Sequence, residues 1–134
     1  MLADKDITEQ IIGAAIAVHR SLGLDLLESA YEEALAIKLA HQQIPFERQK
    51  TIPIFYRDQN VADPRLDFLV NSSVTVKPKA IAALEDIHFA IVRSYLKAAG
   101  LHSGLLLNFA TMPLTIKRVG REESARKIQF SSVS

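Results

Sequence analysis

The residues with the most definite chemistry lie in two short alternating stretches, Leu66-Asp-Phe-Leu-Val70 and Val74-Thr-Val-Lys-Pro-Lys79. Asp67 is an acid inside an apolar strand pattern. A carboxylate so placed needs a partner or a ligand, because burying it unpaired is costly. Lys77 and Lys79 occupy alternate positions of the second stretch, so both leave the same face. Asn71-Ser-Ser73 between the stretches is a turn, which makes the pair a hairpin. Setting Phe68 opposite Val76 turns both apolar sets to one side, as other even shifts also do, and it puts Asp67 across from Lys77 with Lys79 two residues further on. One carboxylate facing an ammonium group can form an ion pair, and Lys79 can also extend along its stem to water.

Other chemistries are excluded by what is missing. With no cysteine there are no disulfides, thiolate metal sites or cysteine nucleophiles. His41 and His102 have no partner at zinc-ligand spacing. The sequence has no glycine-rich phosphate loop, serine nucleophile elbow or dinucleotide fingerprint.

The elements that must position Asp67 and the lysines can be read from periodicity. Ile7, Ile11, Ile12, Ala15, Ile16 and His19 recur at helical spacing, with Asp6 and Glu9 as a capping box and Gly23 as a stop; His19 reads as a hydrogen-bonded core residue. A second helix, opened by the same box at Asp25 and Glu28, ends at Ile44-Pro45, where the residue before proline is pushed out of helical geometry. Tyr31 adjoins Glu28 on its surface and faces the core or a cleft at its edge. Residues 46–56 read as one long strand, at an edge or bulged because of Pro53, and Asp58-Gln-Asn60 as a turn. A third helix spans 82–99 with Leu84, Ile87, His88, Ile91, Tyr95 and Ala98 on one stripe, and Gly100 ends it. Gly104-Leu-Leu-Leu-Asn-Phe109 is a buried strand, and 114–119 can add one more. The order is α-α-β-β-β-α-β(-β), an α/β (mixed α+β) fold with a central sheet of about four or five strands flanked by helices.

The 134 residues suit one domain over 1–120 and a polar C-terminal tail over 121–134. At 49% hydrophobic and 23% charged, the composition is that of a chain with its own core. No secretory signal is visible, and the apolar runs are far below the ~20 residues that span a bilayer. The expectation is a soluble, cytoplasmic protein with no membrane partner. The net charge of +1 is unevenly divided, −5 over residues 1–33 and +6 over the rest. That distribution permits contact with nucleic acid without demanding it.

Several strings also resemble a known family. Leu22-Gly-Leu-Asp-Leu-Leu-Glu-Ser-Ala-Tyr-Glu-Glu-Ala-Leu35 resembles the signature of the bacterial GxxExxY proteins. Ile44-Pro-Phe-Glu-Arg-Gln49, Leu66-Asp-Phe-Leu-Val70, Tyr95-Leu-Lys97, Gly104-Leu-Leu-Leu-Asn-Phe109 and Ile116-Lys-Arg-Val119 follow in that family's order. The family is similar to the PD-(D/E)XK nucleases. The resemblance implies a restriction-endonuclease-like core, with an Asp on one strand and a Glu-x-Lys on the next holding Mg²⁺ or Mn²⁺ against a phosphate. It further implies a helix glutamate before these strands and a helix glutamine after them. Hard divalent cations take oxygen ligands and generate hydroxide near neutral pH, so the scheme is chemically sound.

The sequence departs from that pattern at three positions. The family's glycine falls on Asp25, an exchange that costs little if the position is an N-cap. The Glu of Glu-x-Lys falls on Lys77, and the helix glutamine falls on Ile91. Glu28, Tyr31, Asp67, Lys79 and Tyr95 are retained. Lys77 reverses the electrostatics: a positive charge about 4 Å from a dication costs up to about 8 kcal/mol at an effective dielectric of 20, less if the lysine swings away.

Through the resemblance, Asp67, Lys79 and Glu28 are the candidate catalytic residues, and Tyr31, Lys77, Tyr95 and Arg65 the candidate substrate contacts. Glu28 fits equally a capping acid, and the two tyrosines fit core packing. No cofactor is expected; an active site would use Mg²⁺ or Mn²⁺ on Asp67, Glu28 and Glu85. The leading expectation is a nuclease-like domain with a degenerate metal site, impaired in cleavage. It would bind DNA or RNA through Lys77, Lys79, Arg65 and Lys97. The alternatives are an active metal-dependent phosphodiesterase with a displaced carboxylate, Glu85 or Asp86, and a protein-interaction module or homodimer. Both acids also suit the first turn of a helix.

Overall fold

The computed structural model describes residues 4–121, so the tail expected over 121–134 lies, apart from Arg121, outside the described residues. Two helices come first, α1 (Asp4–Leu22) and α2 (Glu28–His41). The strands β1 (Phe46–Thr51), β2 (Ile54–Tyr56), β3 (Gln59–Ala62), β4 (Arg65–Val70) and β5 (Val74–Lys79) follow. The helix α3 (Asp86–Ala99) leads to β6 (Ser103–Asn108) and β7 (Thr115–Gly120). The main sheet has five strands in the order β1-β4-β5-β6-β7, mixed because β5 and β6 are parallel while the other pairs are antiparallel. A parallel pair needs a crossover, and α3 supplies it. This is the expected α+β architecture, with a restriction-endonuclease-like topology. No helix among the described residues is long and apolar enough to cross a membrane.

Helices cover both sides of the sheet. Ile7, Ile11 and Val18 of α1 and Tyr31, Leu35 and Leu39 of α2 pack with Phe68, Val70, Val74, Val76, Leu105 and Leu107. Alternate residues turn the other way, where Leu106 and Val119 meet Val92 and Leu96 of α3. The sheet comes close to α3 at Gly104, where a Cβ would lie 2.8 Å from Val92 Cγ1 and 3.2 Å from Thr75 Cγ2.

Six local expectations are corrected. Asp6 does not cap α1, which is already helical at Asp4. The strand over 46–56 breaks at Ile52-Pro53, since proline has no N–H for a ladder; the released chain forms the separate β2–β3 hairpin. Its tight turn is Arg57-Asp58, at φ +49° and +65°, one step before the expected turn. α3 begins at Asp86 rather than 82, and its buried face is Val92, Arg93 and Leu96, with Ile87 and Ala98 exposed. His19 is buried against Phe109, 6.1 Å between ring centroids, but its Nε2 has no hydrogen-bond partner among the described residues.

The sixth correction concerns Asp25. It lies at φ +73° and does not cap α2; the N-cap is Leu27, with no side-chain cap bond. The position calls for a left-handed backbone, which favours glycine for its missing Cβ and tolerates aspartate.

Candidate active site

The β4–β5 ladder has the register Phe68↔Val76, Leu69↔Thr75 and Val70↔Val74, reinforced by Thr75 Oγ1 donating to the Phe68 carbonyl at 3.1 Å. Of the even shifts that keep both apolar sets on one face, this is the one expected from the sequence. Beyond Phe68↔Val76 the strands take different neighbours: β4 pairs with β1 as far as Thr51↔Arg65, and β5 with β6 as far as Lys79↔Asn108. The sheet therefore forks, and at the crotch Lys77 Nζ donates to Asp67 Oδ2 at 3.2 Å. Both side chains are largely enclosed, 21% and 17% exposed.

The N-terminal half of α2 borders this fork. Glu28 and Glu32 are one helical turn apart and both half-buried. The Glu32 carboxyl is pushed above the usual carboxylate range, first by burial, then by the negative charges of Asp67 and Glu28, against the opposing pull of Arg48 and Lys77. Arg48 of β1 lies 4.0 Å from Glu32, pairs with Glu33, and stacks its guanidinium over Phe68 at 5.3 Å. Its Nε is buried with no partner among the described residues. Arg48 and Lys77 thus each face an acid at the fork, while Glu32 also feels the negative charges of Asp67 and Glu28. Among the described residues, no group of three or more His, Cys, Asp or Glu side chains is arranged to hold a metal ion.

The remaining candidates are dispersed. Glu28 is the first residue of α2, so with Leu27 as N-cap it is not the reciprocal acid of a box at Asp25. Tyr31 is fully enclosed: its ring stacks on Phe109 at 4.7 Å, its hydroxyl donates to the Gly23 carbonyl at 2.6 Å and accepts from Leu26 N at 3.3 Å. Arg65 is exposed at the start of β4, and Lys79 is half-buried at the end of β5. Tyr95 and Ile91 are half-buried on α3, and Lys97 is exposed in its last turn. Glu85 caps α3, its carboxylate on the His88 backbone N–H, while His88 Nδ1 accepts from Glu85 N at 2.8 Å. Asp86 is exposed beside it.

Sequence reasoning missed Glu32, Arg48 and Asn108. Glu32 carried a usable signal, because it lies four residues after Glu28 on the same helix face. Arg48 carried none, since its partners depend on how β1 meets α2. Asn108 is 1% exposed; its Oδ1 accepts from Ile81 N at 3.1 Å and its Nδ2 donates to the Ile81 carbonyl at 2.9 Å. Together with Phe109 N on the Lys79 carbonyl at 2.8 Å, these bonds fix the chain as it leaves Lys79.

Against known proteins, the family model of the PD-(D/E)XK nuclease superfamily matches residues 5–119. Searches of curated proteins and of solved structures found no match.

Proposed function

Because the chain belongs to the PD-(D/E)XK nuclease superfamily, we propose that it is a nucleic-acid-binding member whose metal pocket is closed by its own ion pair. The observation that carries this is the 3.2 Å contact between Lys77 Nζ and Asp67 Oδ2. In a metal-dependent nuclease of this fold the carboxylate of the first strand faces a second carboxylate, and a dication sits between them. Here an ammonium group faces Asp67, meets its charge and repels a divalent ion. The donor set does not fit Mg²⁺ or Mn²⁺: hard cations need several oxygen ligands, Asp67 is already paired with Lys77, and among the described residues no three acids are arranged around one point. No hydrolytic step is therefore assigned to this site.

The strings around Glu28 and Tyr31, Asp67, Lys79 and Tyr95 support a place among the GxxExxY members, with Lys77 and Ile91 as the altered positions. Binding in place of cleavage is supported by cations at the fork. Arg65 and Lys79 flank it and have no ion pair among the described residues, so both can meet phosphate oxygens. A displaced-carboxylate nuclease is less well supported, because Glu85 is already held by the α3 cap.

Titration calorimetry with Mn²⁺, with cleavage assays on plasmid and single-stranded DNA, tests the reading. The wild type should give no metal heat and no cleavage, and Lys77→Glu with Ile91→Gln should gain metal affinity. Wild-type cleavage that Asp67→Ala abolishes would overturn it. In gel shifts, Arg65→Ala with Lys79→Ala should weaken binding, and the affinity should fall as salt rises.

A further inference from the structure

The β2–β3 hairpin is the part of the fold that the core does not use. It forms its own two-stranded sheet and packs chiefly on itself, although a two-stranded ribbon alone is marginal in water. Its large side chains are in solvent: Phe55 is 61% exposed, Tyr56 64% and Val61 59%. Phe55 and Tyr56 are consecutive in a strand, so they leave opposite sides of the ribbon. With apolar groups on both sides, the hairpin suits insertion among ligand groups better than lying on one flat surface.

The ribbon is also held in shape. Both residues of its two-residue turn have positive φ, which matches the twist of paired strands. Its base is closed by Ile52 N donating to the Pro64 carbonyl at 2.8 Å, and Asn60 Nδ2 donates to Asp63 Oδ1 at 2.9 Å. The Arg57 guanidinium stacks over Tyr56 at 5.7 Å, which steadies the ring from one side.

Its position gives the exposure a purpose. The hairpin springs from the Thr51↔Arg65 end of β1 and β4, the end where β4 and β5 part beyond Asp67 and Lys77. Arg57, Arg65 and Lys79 have no ion pair among the described residues, while Asp58 and Asp63 are the acids of the segment. Stacking aromatics joined to unpaired cations are what unpaired nucleotides require, a π-face for each base and a positive charge for each phosphate. A duplex hides its base faces and would leave Phe55 and Tyr56 unused.

We propose that the β2–β3 hairpin is a base-stacking arm that holds a single-stranded nucleic acid at the mouth of the fork. The proposal rests on the nucleic-acid reading above and names the ligand class of that site.

Fluorescence anisotropy with a labelled oligothymidylate of about 16 nucleotides, its abasic analogue of equal charge, and a duplex tests it. The wild type should prefer the oligothymidylate over the abasic chain by about tenfold or more. Phe55→Ala with Tyr56→Ala should erase that preference without moving the thermal midpoint, and Phe55→Tyr with Tyr56→Phe should restore it. Equal wild-type affinity for the base-bearing and abasic chains would overturn the arm and leave phosphate binding at the fork standing. Failure to bind either chain would overturn the nucleic-acid reading and the arm with it. An alanine pair that abolishes self-association in sedimentation while nucleic-acid affinity holds would assign the hairpin to a second copy and overturn the arm.

Discussion

Asp67 and Lys77 join β4 to β5 across 3.2 Å at the point where the two strands diverge. The ion pair occupies the crotch of the fork, one step past the last ladder pair, Phe68↔Val76. It closes the ladder and fills the centre of the candidate site at once. A double-mutant cycle of Asp67→Asn and Lys77→Met should give a favourable coupling of about 0.2–1 kcal/mol, measured by chemical denaturation. A coupling of zero would mean that the two charges are held apart in solution.

Glu32 should make stability depend on pH. Its carboxyl is raised by burial and by Asp67 and Glu28, so the folded state prefers it protonated. Its favourable contribution is complete below the ordinary carboxylate pKa and is lost as pH rises through the raised value. Glu32→Gln should therefore raise the thermal midpoint near pH 7 and have little effect near pH 4, despite losing a 4.0 Å contact with Arg48, which retains Glu33. Equal shifts at both pH values would count against this.

Tyr31 divides two roles cleanly. Its hydroxyl bridges the Gly23 carbonyl and Leu26 N in the α1–α2 connection, and its ring lies on Phe109. Tyr31→Phe keeps the stacking and removes the bridge, so it should cost about 1–2 kcal/mol of stability and leave nucleic-acid affinity unchanged. Weaker binding with unchanged stability would instead make the hydroxyl a ligand contact.

Asp25 offers a stabilising exchange. At φ +73° an L-residue is strained, and neither an N-cap bond nor a burial requirement holds an aspartate there. Asp25→Gly should stabilise the fold by up to about 1 kcal/mol, part of the strain relief being offset by the greater freedom of glycine in the unfolded chain. A lower midpoint would reveal a role for the carboxylate.

The hairpin of β4 and β5 was legible because alternation has a period of two: any odd shift would have turned Phe68, Val70, Val74 and Val76 to the wrong side. That constraint left only even shifts open, and the one with a short turn, which puts Lys77 opposite Asp67, is the register the structure has. Leu105, Leu106 and Leu107 were legible as a buried strand because a continuous apolar run suits a strand covered on both faces. The face of α3 was less so. Its apolar residues spread over more than one stripe, and the close approach at Gly104 selected Val92 and Leu96.

The sequence by itself determined the three helices, the alternating strands β4 and β5 and their pairing, and the presence of a lysine at 77 beside Asp67, all of them matters of local period and residue type. Only the tertiary structure decided that Pro53 sends out a separate hairpin, that Asp25 takes a left-handed backbone, and that Glu32 and Arg48 join the fork. Each of these depends on where one element meets another, and contacts between residues distant in the chain leave no periodic trace along it.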